Sequence, residues 1–229
     1  MKAKPKDEMA DAFSPRLDIL PAPQRRLWDE LADVPEEFVL YGGTAVGLHL
    51  GHRESVDFDF FGTRAFEPMQ LLPRVRFLAD ATVTQRAPDT LSVSIDRGGP
   101  VKLSFFGLPD FKRVRPPHIA PDNGLQIASL LDLAGTKAAV VQMRAEAKDY
   151  IDVDALLACG HVTLPMALAA ARVIYGRGFD PQSTLKALSF FGDGTLRALP
   201  NALKERLAKA ARQVDLARLP VLPEVGASG

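Results

Sequence analysis

The chain has 229 residues, of which 47% are hydrophobic and 24% are charged. This length and composition are typical of a globular protein with one good-sized core, or of two small domains that share an interface. Lysine plus arginine (28) equals aspartate plus glutamate (28), so no global positive field attracts nucleic acid. Any contact with RNA or DNA must therefore come from a local patch.

The N-terminal segment and the single cysteine bear on the cellular location. Residues 1–11 are charged and lack the apolar stretch of a secretory signal. No segment approaches the roughly 18 apolar residues that a membrane-spanning helix needs. Cys159 has no second cysteine with which to form an internal disulfide, which fits a reducing compartment. We therefore expect a soluble protein of the cytoplasm without a membrane partner.

The first half of the chain combines helical and strand patterns. The patterns predict helices at 23–31, 44–50 and 68–79 and strands at 38–41, 56–61, 81–85, 90–96 and 101–106. The turn formed by Arg97, Gly98, Gly99 and Pro100 predicts that the last two strands make a hairpin.

The second half of the chain is helical. A proline-rich connector at residues 113–123 is expected to join the two halves. Helices are then predicted at 127–141, 149–158, 164–175, 181–188 and 202–216. The sequence thus predicts an α+β fold, with a mixed sheet and flanking helices followed by a mainly helical half. We place the boundary near residue 120, between an α/β domain at 1–120 and a helical domain at 121–229 that completes a cleft.

Two aspartates lie two residues apart on the predicted strand 56–61. Side chains at this spacing share one face of a strand, so Asp57 and Asp59 project together while Phe58 and Phe60 project into a core. Parallel carboxylates repel each other unless a cation lies between them. Mg²⁺ prefers oxygen ligands and bridges carboxylates to substrate phosphates. The pair therefore predicts a Mg²⁺ site, with Mn²⁺ as an alternative.

A glycine pair stands where the strand 38–41 turns into a helix. Because Gly42 and Gly43 have no side chains, a triphosphate can approach the backbone N–H groups at the positive end of that helix. Thr44 is expected to cap the helix and to offer its hydroxyl to a phosphate. His52 and Arg53, in the loop before the acidic strand, are placed to meet phosphate oxygens. Each feature alone is common, but together they predict a nucleotide site.

The segment from Tyr41 to Phe61 resembles the first motif of AbiEii/AbiGii-type nucleotidyltransferase toxins, which belong to the DNA polymerase β-like nucleotidyltransferase superfamily. The resemblance continues at residues 132–137, 144–152 and 188–194. It implies the nucleotidyltransferase fold and Mg²⁺-dependent transfer of a nucleoside monophosphate from a nucleoside triphosphate to an acceptor hydroxyl. The implied acceptor is an RNA end (tRNA in some relatives) or a protein. The resemblance also implies a bacterial toxin that acts in growth arrest or phage defence, usually with a cognate antitoxin.

The resemblance extends to charged residues of the helical half. It places a motif lysine at Lys137 and implies that this side chain contacts the nucleotide phosphates, although a lone lysine on an apolar helix is usually a surface residue. The last acidic motif matches Lys148, Asp149 and Asp152. It implies that one of the two acids supports catalysis, for example by pairing with Lys137, and we assign this role to Asp149.

The spacing of these charged residues allows two local structures. Arg144, Lys148 and Asp152 lie on one face if a single helix runs through them. Alternatively, residues 144–147 form a loop and Asp149 caps a second helix that begins at Tyr150.

One departure from the superfamily affects the predicted activity. Enzymes of the superfamily generally carry a third carboxylate on a later strand, which helps to activate the attacking hydroxyl and to hold a second metal. Ser104 occupies the expected position, and Asp96 lies close to the hairpin turn. The missing carboxylate leaves two possibilities, an enzyme that uses one metal or other assistance and a catalytically silent protein that binds nucleotide. A separate alternative is an interaction protein in which Asp57 and Asp59 are merely solvated.

Overall fold

The computed structural model describes residues 13–225, so the predicted lack of a secretory signal at residues 1–11 lies outside the described residues. The strands are β1 (Phe38–Tyr41), β2 (Asp57–Gly62), β3 (Thr82–Ala87), β4 (Thr90–Asp96), β5 (Pro100–Gly107), β6 (His118–Ile119) and β7 (Gln126–Ile127). They form one mixed sheet in the order β3-β4-β5-β2-β1-β7-β6. The predicted hairpin is confirmed as β4 and β5, which pair antiparallel.

Helices flank this sheet and make up most of the second half of the chain. They are α1 (Ala22–Leu27), α2 (Gly42–Leu50), α3 (Pro68–Leu71), α4 (Leu130–Met143), α5 (Ala147–Ala158), α6 (Leu164–Tyr175), α7 (Pro181–Ala187) and α8 (Asn201–Arg212). The predicted α+β class is thereby confirmed. No helix within residues 13–225 combines the length and the apolar character needed to cross a bilayer.

Strand β2 occupies the middle of the sheet and carries the acidic motif. It pairs antiparallel with β1 and parallel with β5, where Asp59 lies opposite Ser104. Phe58 and Phe60 are fully buried, as the alternation of the sequence predicts. The other face of β2, which carries Asp57 and Asp59, is therefore the one that is free to form a site.

Several predicted helices have different bounds in the structure, and two of these differences have a local cause. The helix predicted at 68–79 is wrong beyond Leu71, where two short 3₁₀ turns take over. Pro73 has no N–H to donate, and its ring is incompatible with the middle of a helix. The helix predicted from residue 127 begins at Leu130, because the Ser129 hydroxyl caps it by accepting a hydrogen bond from the N–H of Asp132. Ile127 lies in β7 instead.

Three local expectations near the site are also wrong. Helix α2 already begins at Gly42, so Thr44 lies inside the helix and does not cap it. Of the two alternatives for residues 144–152, the continuous helix does not form, because Arg144 is extended; residues 144–146 separate α4 from α5, as the loop alternative predicted. Asp149 lies in the first turn of α5 and is not its cap.

Strands β6 and β7 bring residues 118–127 into the sheet. The domain boundary near residue 120 stays a prediction.

Candidate nucleotide site

A cavity of about 410 Å³ lies between the acidic face of β2 and helix α4. Six of the eight predicted site residues line it: Gly42, Gly43, Arg53, Asp57, Asp59 and Lys137. The remaining two, Thr44 and Asp149, lie behind this first layer. Residues that are up to 95 positions apart in the chain thus line one cavity; the patterns of the sequence indicated those near β2, and the family resemblance indicated Lys137.

The two aspartates of β2 share the cavity face and perturb each other. Burial raises the pKa of the Asp59 carboxyl, and the negative charge of Asp57 raises it further. Lys102 on β5 and Lys137 on α4 act in the opposite direction but do not cancel the shift. Within residues 13–225, no group of three or more His, Cys, Asp and Glu side chains is arranged to hold a metal ion. A divalent cation at this pair would therefore need further oxygen ligands from a substrate.

Gly42 and Gly43 make room for charged side chains as well as for a ligand. Gly42 has a φ of +74°, and a Cβ there would lie 2.7 Å from a carboxylate oxygen of Asp59. A Cβ on Gly43 would collide with the guanidinium of Arg53. We predicted the glycines from the close approach of a triphosphate. The structure adds a second reason, which is that any side chain here would collide with Asp59 or Arg53. Both residues also place the N-terminus of α2 at the cavity.

Thr44 connects α2 to the acidic strand. Its side chain is buried, and its hydroxyl donates to the carbonyl oxygen of Asp57 and lies 2.8 Å from the hydroxyl of Ser55. These contacts fix the start of β2 relative to α2. They favour a positioning role for Thr44 over the direct phosphate contact that we predicted.

A buried ion cluster, which we define as Arg53, Lys137, Asp149 and Asp152, forms one wall of the site. The fully buried carboxylate of Asp152 accepts two hydrogen bonds from Arg53, at 2.7 and 2.9 Å. The ammonium of Lys137 lies 2.7 Å from Asp152 and 2.8 Å from Asp149. His52 completes the surroundings of Asp152 through its Nε2, at 2.7 Å. Lys137 is only 5% exposed, so it is not a surface lysine.

Asp149 lies at the far side of this cluster. It accepts hydrogen bonds from Lys137 and from the guanidinium of Arg144, the latter at 2.7 and 3.2 Å. Burial alone would raise the pKa of Asp149, but these two cations hold it below its ordinary value. Lys137 thus has two acidic partners. We predicted a supporting role for Asp149 in preference to Asp152, whereas both acids pair with Lys137.

The ion cluster predicts a specific pH dependence. Burial acts to raise the pKa of Asp152, yet the hydrogen bonds from His52 and Arg53 and the charge of Lys137 hold it well below its ordinary value. A carboxyl with a lowered folded-state pKa stabilises the fold above its unfolded pKa of about 3.9, and this contribution is lost as the pH falls further. We therefore expect the stability difference between the wild type and Asp152→Asn to be present at pH 7 and to shrink below about pH 4. Urea unfolding at each pH measures it, and a constant difference down to pH 3 would contradict the assignment.

The position expected for a third carboxylate holds a buried hydroxyl pair. Ser104 lies beside Asp59 in the parallel register of β2 and β5, so its side chain is on the acidic face. It is 3% exposed, and its hydroxyl contacts that of Ser92 at 3.2 Å. Asp96 is used elsewhere, because its carboxylate accepts hydrogen bonds from the N–H groups of Gly98 and Gly99 in the hairpin turn.

Ser104 is expected to have no part in chemistry. Ser104→Ala should change the rate of nucleotide transfer by less than about threefold, while the loss of one buried hydrogen bond lowers the free energy of unfolding by about 1 kcal/mol. Ser92→Ala is the matched control, since it removes the other half of the same pair. A rate loss of tenfold or more in Ser104→Ala alone would assign the hydroxyl a part in the reaction.

The apolar end of the cavity was not predicted from the sequence. This end is lined by Phe61, Phe106, Val140, Met143 and Tyr175. The alternation of β2 contained a signal for one of them, because Phe61 lies two residues beyond Asp59 and hence on the same face. The register of β5 adds Phe106 opposite Phe61. Tyr175 comes from the end of α6, and no local pattern connects it to this site.

Known structures share this fold. MenT4, a nucleotidyltransferase toxin from Mycobacterium tuberculosis H37Rv, superimposes with a TM-score of 0.59 at 15% identity, over 85% of this chain and 83% of that one. A protein of H. pylori assigned as a nucleotidyltransferase superimposes with a TM-score of 0.52 at 19% identity, over 83% of this chain and 90% of that one. At these identities the likeness concerns the fold, and it confirms the predicted nucleotidyltransferase fold.

Sequence comparisons define the family. An uncharacterized protein of Aquifex aeolicus (strain VF5) is 32% identical over 118 residues, which are 51% of this chain and 55% of that protein. The match therefore spans about half the length of that relative. The model of the AbiEii nucleotidyl transferase toxins of type IV toxin–antitoxin systems matches residues 26–224. The chain belongs to this AbiEii family of nucleotidyltransferase toxins.

Proposed function

We propose that the protein transfers a nucleoside monophosphate from a nucleoside triphosphate to an acceptor hydroxyl, with a divalent cation at Asp57 and Asp59. One observation carries this proposal. The paired carboxylates of β2 and the cations Arg53 and Lys137 line a single cavity. Such an arrangement suits a ligand that is anionic and binds metal, as a nucleoside triphosphate does.

The residues at the acid pair fit a magnesium ion. Asp57 and Asp59 supply carboxylate oxygens, and the raised pKa of Asp59 reflects a negative field that a cation would relieve. Triphosphate oxygens and water would complete the coordination, which is the usual arrangement for Mg²⁺ at phosphate sites; Mn²⁺ is an alternative. The bound ion would neutralise charge that develops on the phosphates during transfer.

The side chains around the cavity would hold the triphosphate in place. The N–H groups at the start of α2, next to Gly42 and Gly43, present positive potential to phosphate oxygens. Lys137 faces the cavity from α4 and would bind a phosphate while Asp149 and Asp152 fix its position. Arg53 lines the same wall and is held by Asp152. These groups would be oriented before the substrate binds, which lowers the barrier for phosphoryl transfer.

In the transfer step, the acceptor hydroxyl loses its proton to water and its oxygen forms a bond to the α-phosphorus. The bond from that phosphorus to the oxygen bridging to the β-phosphate breaks, and pyrophosphate leaves. The proposed acceptor is an RNA end, such as that of tRNA, or a protein hydroxyl. Arg144 and Lys148 line the cavity and are about half exposed, and both lie close to Glu146. An anionic acceptor would replace Glu146 as their partner.

Family membership supports a wider biological setting. We propose a bacterial toxin of the cytoplasm that acts in growth arrest or phage defence and has a cognate antitoxin protein as its partner. The proposed division into an α/β unit at 1–120 and a helical unit at 121–229 assigns the acid pair to the first and Lys137 with its acidic partners to the second. Both units would then supply residues to the cavity, and the pair of Arg53 and Asp152 would join them.

A catalytically silent nucleotide-binding protein is the second candidate. The buried pair of Ser104 and Ser92 favours it, because no carboxylate stands beside Asp59 on β5 to activate the acceptor hydroxyl. The intact pair of Asp57 and Asp59 argues for the enzyme.

Incorporation of label separates the two candidates. The purified protein is incubated with Mg²⁺, total bacterial RNA and each α-labelled ribonucleoside triphosphate in turn, beside an Asp57→Ala/Asp59→Ala control. We expect label on RNA or on protein that is absent from the control, and the labelled species identifies the acceptor class. Mg²⁺-dependent nucleotide binding without incorporation would instead support the silent binder.

A further inference from the structure

The cavity has an apolar end whose residues the transfer step does not use. Phe61 and Phe106 are partly exposed on neighbouring strands, and Tyr175 is 37% exposed at the end of α6. Met143, 85% exposed, and Val140 approach from α4. An exposed set of large apolar side chains inside a charged cavity indicates a ligand that is itself partly apolar.

The position of this apolar end suits one part of a nucleotide. Phe61 follows Asp59 by two residues on the same face of β2, so the two lie about 6.6 Å apart along the strand. Phe106 lies beside Phe61 on β5. A nucleotide whose triphosphate lies at the acid pair and which extends along β2 and β5 would therefore bring its sugar and base to Phe61 and Phe106.

Surrounding contacts hold the aromatic rings in fixed positions. The ring of Phe61 stacks on that of Tyr41 with centroids 4.8 Å apart and meets Phe106 edge to face at 5.5 Å. Phe111 contacts both Phe61, at 5.5 Å, and Tyr175, at 5.9 Å. Rings that are fixed before binding lose little conformational freedom when a flat ligand docks on them.

The approach of α6 to α4 places Tyr175 at the cavity. Gly135 of α4 packs so closely on α6 that a Cβ there would lie 3.0 Å from the Cβ of Ala170 and 2.9 Å from the side chain of Ile174. Tyr175 is the next residue of α6 after Ile174, so this close packing brings its ring to the same cavity as Val140.

We propose that Phe106 and Tyr175 form the binding surface for the nucleobase of the nucleoside triphosphate, with Met143 and Val140 facing them from α4. This inference rests on the proposed function and adds the site of base recognition to it. The base would be recognised by stacking, which is available to every nucleobase because each has a π-face. Tyr175 binds the base and takes no part in the transfer step.

The test compares a nucleotide with its phosphate chain alone. Binding of each of the four ribonucleoside triphosphates and of inorganic triphosphate is measured by calorimetry in Mg²⁺, for the wild type, Tyr175→Ala, Tyr175→Phe and Phe106→Ala. Phe190→Ala is the control, because Phe190 is 59% exposed and does not line the cavity. We expect Tyr175→Ala and Phe106→Ala to weaken nucleotide binding about fivefold or more and to leave triphosphate binding unchanged. Tyr175→Phe and Phe190→Ala should bind both ligands as the wild type does.

The possible failures are distinguishable. Equal weakening of nucleotide and triphosphate binding, or no weakening in Tyr175→Ala and Phe106→Ala, would overturn the base site while the proposed function stands. Wild-type protein that binds nucleotide no better than inorganic triphosphate would overturn it as well. Failure of the wild type to bind any nucleotide in Mg²⁺ would remove the proposed function itself, and the base site with it.

Discussion

Asp59→Asn is expected to abolish nucleotide transfer and, in metal-free protein, to raise the free energy of unfolding. Loss of a carboxylate that holds the cation should reduce the transfer rate by at least about a hundredfold to a thousandfold. The same change removes a charge that burial and Asp57 disfavour. We expect a gain of about 1 kcal/mol, or about 2–4 °C in melting temperature for a chain of this size.

The measurement combines initial rates of label incorporation with thermal unfolding in a chelator. Asp80→Asn is the control, because Asp80 is exposed and lies outside the cavity, and neither quantity should change. A lower transfer rate together with a higher stability would indicate that Asp59 serves the function and not the fold. Asp59→Asn protein that is less stable than the wild type without metal would show that the carboxylate has a structural role.

Asp152→Asn should have the opposite effect on stability. Its carboxylate is fully buried and pairs with Arg53 and Lys137, both of which would be left with a partner that no longer carries charge. Removal of one member of a buried ion pair typically costs about 3–5 kcal/mol, and we expect a loss of this size in urea unfolding. Transfer should also slow by about tenfold to a hundredfold, because Lys137 and Arg53 lose the group that positions them.

Asp154→Asn provides the matched comparison on the same helix. Asp154 pairs with Arg206, whose side chain is 56% exposed, so the pair is at the surface. Surface pairs contribute about 0–1 kcal/mol. Similar losses for Asp152→Asn and Asp154→Asn would contradict the view that burial makes the Asp152 pairs strong.

Local patterns predicted the acidic strand and its surroundings well. The two-residue alternation of Asp57 to Phe61 defined both the buried and the open face of β2, because strand geometry alone determines which side chains share a face. The glycine pair likewise marked the junction of β1 and α2. Lys137 could be placed only through the family resemblance, since its apolar helix gives no local reason for a buried cation.

Residues that depend on tertiary contacts were harder to predict. Asp152 became the centre of the ion cluster because α5 packs next to the loop of His52 and Arg53, and that packing leaves no mark at a fixed spacing in the sequence. Pro73 ended a helix whose apolar pattern continued beyond it. Tyr175 reaches the cavity because Gly135 allows α6 to approach α4 closely. In each case the contact joins segments distant along the chain, where propensity and periodicity carry no information.

The position of the label in the nucleoside triphosphate distinguishes transfer of a nucleoside monophosphate from transfer of the terminal phosphate. The protein is incubated with Mg²⁺ and acceptor, once with α-labelled and once with γ-labelled nucleoside triphosphate, and the label bound to macromolecules is counted. We expect incorporation from the α-position only, with the γ-label released in pyrophosphate. Incorporation from the γ-position would show transfer of the terminal phosphate, and absence of label from both positions would show that no nucleotide is transferred to this acceptor; either result would contradict the proposed function.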